Sequence, residues 1–259
     1  MRKYNSYGSA IMRSEDGCLA DLTGKEGKAK YVQETFNSIA KSYDLMNTLM
    51  TFGLDKSWRR LAVKRSGLKE GGTGLDVCCG TGMLAMEQAR AAGPAGKITG
   101  LDFSENMIEV ARQNIRDFKF KDNINLIQGD AMDLPFEDNV FDCATVGWGL
   151  RNVPDIVKVI REMARVVRPG GMVVSLDMAQ PVTPVFKELY WLCFDRMIPA
   201  MGKLFSGNKK AYRYLYSSAK NFVHQKDLAG IFAQAGLVET RYINLCGGVV
   251  AIVEGRKPV

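Results

Sequence analysis

The run Gly74-Leu75-Asp76-Val77-Cys78-Cys79-Gly80-Thr81-Gly82 most narrows what this chain can become. Leu75 to Cys79 is a short apolar run holding one acid, Asp76, the pattern of a strand buried in a parallel sheet. Gly80-Thr81-Gly82 is a turn that only small residues allow. Met83 to Arg90 behind it is rich in good helix formers. Strand, glycine-rich turn and helix make the first half of a nucleotide-binding α/β unit. Its glycines let the backbone approach a ligand, and free N–H groups at the helix start point at it.

The turn alone is not specific, because Gly80-Thr81-Gly82-Met83-Leu84-Ala85 also fits a dinucleotide fingerprint ending in Ala. Lys97 to Asp102 reads as a second strand ending in an acid. Asp102 stands about 20 residues after Gly82, where a carboxylate can take both hydroxyls of an adenosine ribose. Asn125 to Gln128 reads as a third strand, running into a loop with Asp130 at its tip. Such an acid can accept from the adenine amine, with the Ala131 N–H facing a ring nitrogen. Acids after strands one, two and three are expected of an S-adenosylmethionine site, whereas a pyrophosphate site does not require the third.

Composition bounds the alternatives. A chain of 259 residues can bury a sizeable core as one large domain. With 46% hydrophobic and 24% charged residues it is ordinary globular material. The net charge of +7 permits attraction to anionic lipid or nucleic acid but demands neither. The six cysteines, Cys18, Cys78, Cys79, Cys143, Cys193 and Cys246, form no C-x-x-C pair, the usage of a reducing compartment. The single histidine, His224, makes a histidine-based metal site or triad improbable and suits a surface or helix-capping place; no metal site is expected. No signal peptide and no apolar run of membrane-spanning length is read, so a soluble cytoplasmic protein is expected.

Residues 1–28 read as a flexible polar arm and 29–259 as one domain. Within it, 29–67 reads as an N-terminal helical lid, with Val32, Phe36, Ile39 and Tyr43 on one face. Ser104 can cap a helix running to about Phe118. Val140 to Val146 reads as strand four. Pro154 reads as the first residue of a helix whose buried stripe is Ile156, Val159, Ile160, Met163 and Val167. Arg168-Pro169-Gly170-Gly171 reads as a turn before a fifth strand, Met172 to Leu176. Residues 182–224 read as an aromatic and basic helical cap, and two β-rich runs around Gly247-Gly248 close the chain. Strand–helix alternation predicts an α/β doubly wound, mostly parallel sheet, with an antiparallel strand added at one edge. Gly80, Asp102, Asp130 and Gly147 then fall at the carboxyl ends of the strands, where such sheets bind ligands.

The chain resembles the class I S-adenosylmethionine-dependent methyltransferases, and within them the quinone-biosynthesis C-methyltransferase family. The resemblance covers about Lys30 to Lys257. It is carried by Tyr43-Asp44-Leu45-Met46-Asn47 with Trp58 following, by Asp76 to Gly82, by Leu101 to Met107, by Gly149-Leu150-Arg151-Asn152-Val153 and by Arg165 to Gly171. The Cys78-Cys79 pair and Gly149 to Val153 look most like the menaquinone branch. The resemblance implies a seven-stranded Rossmann-like methyltransferase fold and S-adenosyl-L-methionine as cofactor. It implies cofactor contacts from Thr81, Asp102, Asp130 and Ala131, and it gives Arg151 and Asn152 as the active-site pair; Asp76, Gly80, Gly82, Met107 and Gly147 are further candidates for the cofactor site. Asp177 stands where the family usually has Glu, and Asp55 where it has His.

On this reading a reduced prenylated quinol loses a hydroxyl proton, and its ring carbon attacks the sulfonium methyl. Arg151 is the candidate to stabilise the ring oxyanion. The base is a water or a carboxylate, and Asp44 is the candidate carboxylate, with Tyr43 as a hydrogen-bond partner. A salt bridge across the loop is the alternative for Arg151, and a turn or helix cap for Asn152. The 182–224 segment can cover an isoprenoid tail and meet the membrane surface peripherally. A homodimer is compatible with all of this. Methylation of a sterol or polyketide is a related alternative. A dinucleotide oxidoreductase and a nucleic-acid-binding protein are distant ones, and the scattered basic residues argue against nucleic acid.

Overall fold

A computed structural model describes residues 32, 35, 36, 44–183, 188, 190–192 and 209–259. The expected arm, Tyr43, and the cap between 193 and 208 lie outside the described residues. The strands are β1 (Thr73–Val77), β2 (Lys97–Asp102), β3 (Ile124–Gln128), β4 (Phe141–Gly147), β5 (Val167–Met178), β6 (Val238–Leu245) and β7 (Val250–Arg256). The labelled helices are α1 (Leu54–Ser66), α2 (Met83–Ala92), α3 (Glu105–Ile115), α4 (Ile156–Val166), α5 (Lys209–Lys220) and α6 (Gln225–Gln234).

The strands form one seven-stranded sheet in the order β3-β2-β1-β4-β5-β7-β6. β1 to β5 run parallel, and β7 runs against both of its neighbours. The expected doubly wound sheet is therefore present, with its one reversed strand lying inside the edge rather than on it. Order reverses at β1 and β4, which leaves a crevice beyond their carboxyl ends.

Successive side chains on a strand point to opposite faces, and β5 shows what each face meets. Val173 packs with Val159, Ile160 and Met163 of α4 and Phe232 of α6. Met172 and Val174 pack with Trp58 and Ala62 of α1. Farther along the sheet, Ala85, Ala89 and Ala92 of α2 close over Ile98 and Ile124. Each such Val, Ile or Leu contributes about 1.5–3 kcal/mol on burial.

Several boundaries differ from expectation for local reasons. β1 stops at Val77, because Cys78 turns out of the sheet with φ 55°. Helix α4 begins at Ile156 rather than at Pro154: the Asp155 side chain accepts from the Lys158 N–H at 3.0 Å and makes the cap, so the helix starts two residues later. Ser104 does cap α3, accepting from the Met107 N–H at 3.2 Å, but that helix ends at Ile115. Pro169-Gly170-Gly171 is not a separate turn. β5 starts at Val167 straight from α4 and absorbs these residues in an irregularity, its register shifting between Phe141 and Cys143. His224 caps α6, its Nδ1 accepting from the Lys226 N–H at 3.1 Å.

One buried carboxylate ties the far side of the sheet. Glu254 on β7 is fully buried and accepts from Arg65 of α1 and, at 2.5 Å, from Arg241 of β6. Burial alone would raise its carboxyl. The hydrogen bonds and charges of Arg65 and Arg241 outweigh burial and hold it below the ordinary value. A depressed carboxyl contributes stability above its unfolded pKa, about 4.3, that is lost as pH falls through its folded value. Glu254→Gln should therefore lower unfolding stability by about 1.5–3 kcal/mol at pH 7 in urea titrations, with the deficit shrinking below about pH 4. A deficit that stays constant with pH would remove the ionic account.

Candidate functional site

The crevice is built by a sharp turn. Cys78, Gly80 and Gly82 all take positive φ, at 55°, 54° and 80°, so the chain reverses within five residues of leaving β1. Gly82 is the residue before α2 and packs on α3, where an added Cβ would lie 3.2 Å from the Ala111 Cβ. The loop after β4 presses on the same turn: a Cβ at Gly149 would lie 2.6 Å from the Cys78 Cβ.

Asp102, at the end of β2, holds this turn. Its Oδ2 accepts from the Gly80 N–H at 2.8 Å and its Oδ1 from the Ser104 N–H at 2.9 Å. Burial raises its carboxyl, opposed by the N–H groups of Ser104, Gly80 and Phe103. A carboxylate has about four lone-pair sites, so Asp102 keeps room beyond these N–H groups for a ligand donor such as a ribose hydroxyl. Asp130 lies beyond β3, its Oδ1 accepting from the Met132 N–H at 2.8 Å, with Ala131 buried beside it. Asp76 is fully buried. Its Oδ1 accepts from the Thr145 hydroxyl at 3.1 Å, while Oδ2 has no hydrogen-bond partner among the described residues.

The structure gathers Asp44, Asp76, Gly80, Thr81, Asp102, Met107, Asp130, Ala131, Gly147 and Asn152 around one crevice. Gly82 stands behind the turn instead of lining it. Tyr43 lies outside the described residues. Arg151 does not line the crevice: its Nη1 donates to Asp177 Oδ1 at 2.6 Å, and both side chains are almost wholly buried. A guanidinium so placed can brace the loop below the site, as the salt-bridge alternative for Arg151 has it. Asn152 is held for the crevice, its Nδ2 donating to the Trp148 carbonyl at 3.1 Å and its Oδ1 accepting from the Tyr214 hydroxyl at 3.0 Å.

Asp44 closes the opposite wall. It accepts from the Thr81 hydroxyl at 2.7 Å and from Asn114 Nδ2 at 3.2 Å, and Asn114 also donates to the Thr81 carbonyl at 3.0 Å. Burial raises the Asp44 carboxyl, with Thr81, Arg59 and Asn114 opposing. Thr81 thus binds the N-terminal wall to the turn. Sequence reading missed Arg59, Trp148 and Asn114. Arg59 lines the crevice and pairs with Asp55 at 2.6 Å, a contact that the i, i+4 spacing could have revealed. Trp148 lines it too, from a strained backbone with φ 60°.

A sequence model of the ubiE/COQ5 methyltransferase family matches residues 24–257. Over 240 residues the chain is 60% identical to the demethylmenaquinone methyltransferase of Desulfitobacterium hafniense strain Y51, covering 93% of this chain and 94% of that one. It is 43% identical over 236 residues to a protein of the same name from Staphylococcus aureus strain JH9, covering 91% and 97%. Among solved structures, a SAM-dependent methyltransferase from Aquifex aeolicus superposes with TM-score 0.57 at 19% identity, over 76% of this chain and 88% of that one, a likeness that carries the fold alone.

Two hydrogen bonds to a charged acceptor are worth about 1.5–3 kcal/mol each. Asp102→Ala should therefore weaken binding of S-adenosylhomocysteine at least about 100-fold in calorimetric titration, with the circular dichroism spectrum retained. Affinity within threefold of the parent protein would remove Asp102 from the ligand.

Proposed function

The chain belongs to the ubiE/COQ5 methyltransferase family and is an S-adenosylmethionine-dependent methyltransferase, and from that premise we propose that it methylates a ring carbon of a prenylated quinol, converting demethylmenaquinol to menaquinol. The observation that carries this reading is the near-full-length likeness to the Desulfitobacterium relative, which bears that activity in its name.

The residues of the crevice fit the cofactor. Asp102 has free lone pairs for a ribose diol, Asp130 and Ala131 face the place of a base, and the orphaned Asp76 Oδ2 suits a cationic group. When bound, S-adenosylmethionine supplies an electrophilic methyl group. The chain's own part is positioning, proton removal and exclusion of water. Phe36, Phe103, Met132, Trp148 and Val153 give the crevice apolar walls suited to a flat ring. Asn152, locked at both ends of its amide, presents a fixed polar edge. Asp44 is the group we assign to take the quinol hydroxyl proton, since burial moves its carboxyl toward the pH at which a base works. Arg151 acts through the loop that carries Asn152.

A quinol with an isoprenoid tail partitions into a bilayer, and the surface beside the crevice supports peripheral contact with one. Leu45, Leu49, Phe52 and Leu54 are exposed, Phe52 at 91%. Phe52 and Gly53 both take positive φ, and the turn is fixed from within by the Thr51 hydroxyl donating to the Asn47 carbonyl at 2.7 Å and by the Gly53 N–H donating to the Thr48 carbonyl at 2.8 Å. Lys56, Arg60 and Lys64 follow along one stripe of α1 and, with Arg90, line a surface hollow. An apolar tip backed by cations is the combination that anchors a protein on anionic lipid. No helix among the described residues is long and apolar enough to cross a membrane.

The substrate is tested with donor and demethylmenaquinol in detergent, with and without reductant. Methyl transfer to the ring is expected only with the reduced form, because the oxidised quinone has no nucleophilic carbon. Equal turnover of the oxidised form would sink the mechanism. For the surface, Phe52→Ser should lower co-sedimentation with phosphatidylglycerol vesicles several-fold while binding of S-adenosylhomocysteine stays unchanged. Unaltered vesicle binding would move the contact elsewhere.

A further inference from the structure

Helix α2 carries a glutamine where its neighbours are alanines. Gln88 is fully buried, beside Ala85 and Ala89 on the face that closes over the sheet. The backbone makes room for it: a Cβ at Gly74 would lie 2.6 Å from Gln88 Oε1. An uncompensated buried amide is unfavourable, so its contacts carry information. Gln88 Nε2 donates to the Leu75 carbonyl at 3.1 Å and to the Thr145 hydroxyl at 2.8 Å. Thr145 has a single proton, and it goes to Asp76 Oδ1 at 3.1 Å. Asp76 and Thr145 stand opposite each other in the β1–β4 register, and both are fully buried. The chain of donors runs one way, from α2 through β4 to β1. It ends on a carboxylate whose other oxygen is buried, has no partner among the described residues and belongs to a side chain lining the crevice.

We propose that Gln88 and Thr145 are positioning residues that hold Asp76 as an ionised acceptor, so that Oδ2 receives the ammonium at the amino-acid end of the cofactor. This rests on the reading that the crevice takes S-adenosylmethionine. Asp102 and Asp130 are spent on the nucleoside, and the ammonium is the remaining donor that a lone carboxylate oxygen can satisfy. The donors matter because burial pushes the Asp76 carboxyl up to about 7, with the Thr145 hydroxyl first and the Ala85 backbone N–H second in opposing that rise. The groups facing Asp76 are Asp102 from β2, which raises it further, and Arg59 from α1, which lowers it. Cys78, Cys79 and Cys143 also lie near, and burial pushes their thiols up, Cys143 to about 12, so they stay neutral. As pH falls through about 7, Asp76 takes a proton, and an ammonium loses its partner.

The test compares S-adenosylhomocysteine with 5′-methylthioadenosine, which keeps the nucleoside and thioether but lacks the amino acid. The ratio of the two affinities cancels any titration of Asp102, which both ligands use. In calorimetric titrations from pH 5.5 to 8.5, the parent protein should prefer S-adenosylhomocysteine above pH 7. That preference should decline by up to about tenfold per unit below it. Thr145→Val should cut the preference at least tenfold at pH 7.5 and move its midpoint upward, leaving methylthioadenosine affinity within twofold. Thr145→Ser should restore both. Gln88→Leu, which frees the Thr145 hydroxyl to turn away, should shift the midpoint in the same direction by less. Equal weakening of both ligands in Thr145→Val, or no change in either, overturns the proposal. Where Thr145→Val does not fold, an unshifted midpoint in Gln88→Leu overturns it. A parent protein that binds both ligands with a pH-independent preference refutes the positioning role alone, whereas one that binds neither removes the cofactor reading beneath it.

Discussion

A single carboxylate, Asp102, holds two loops to each other by accepting the Gly80 and Ser104 N–H groups on its two oxygens. That bridge sets the distance between the turn after β1 and the start of α3, and Asn114 and Ala111 tie the same turn farther along that helix. The left-handed residues Cys78, Gly80 and Gly82 shape the turn, but shape does not fix position. Position comes from a half-buried carboxylate, and carboxylates drawn out of water are exacting about the donors around them. The crevice is therefore shaped by the protein's own contacts, and a ligand's contacts would add to lone pairs that the loops leave over.

A second layer of polar contacts repeats that logic on each wall. Asp44 joins the N-terminal wall to Thr81, Asn152 is clasped by Trp148 and Tyr214, and Arg151 lies beneath on Asp177. Each links segments far apart in the chain. Met46 and Ala219 pack with Met50, Met178, Tyr190, Trp191 and Tyr216, so the helical segment 44–50 and helix α5 share an apolar contact.

How much of this was legible in the sequence follows from range. β1 and its turn, the acids Asp102 and Asp130, the Ser104 cap and the terminal pair of strands are local patterns, and they fall where periodicity and turn chemistry place them. Boundaries set by one side chain, such as the Asp155 cap that starts α4 at Ile156 and not at Pro154, are visible only in the structure. So did every role defined by a distant partner. Arg151 reads as an oxyanion partner by its motif, and only Asp177, 26 residues on, shows where its charge goes. Gln88 looks like an ordinary helix former until Thr145 and Asp76 are seen beneath it. The family likeness gives the activity, but it does not give the wiring behind the first row of residues.

The reversal of β7 has a practical corollary. Its last residue, Arg256, pairs with Met172 near the beginning of β5, whereas Val250 pairs with Met178 at the end of that strand. Residues Lys257 and Val259 therefore lie beside Gly170, at the amino ends of the parallel strands, with the whole depth of the sheet between Val259 and the mouth of the crevice. An affinity handle or a tether to a solid support attached after Val259 would leave that mouth facing outward.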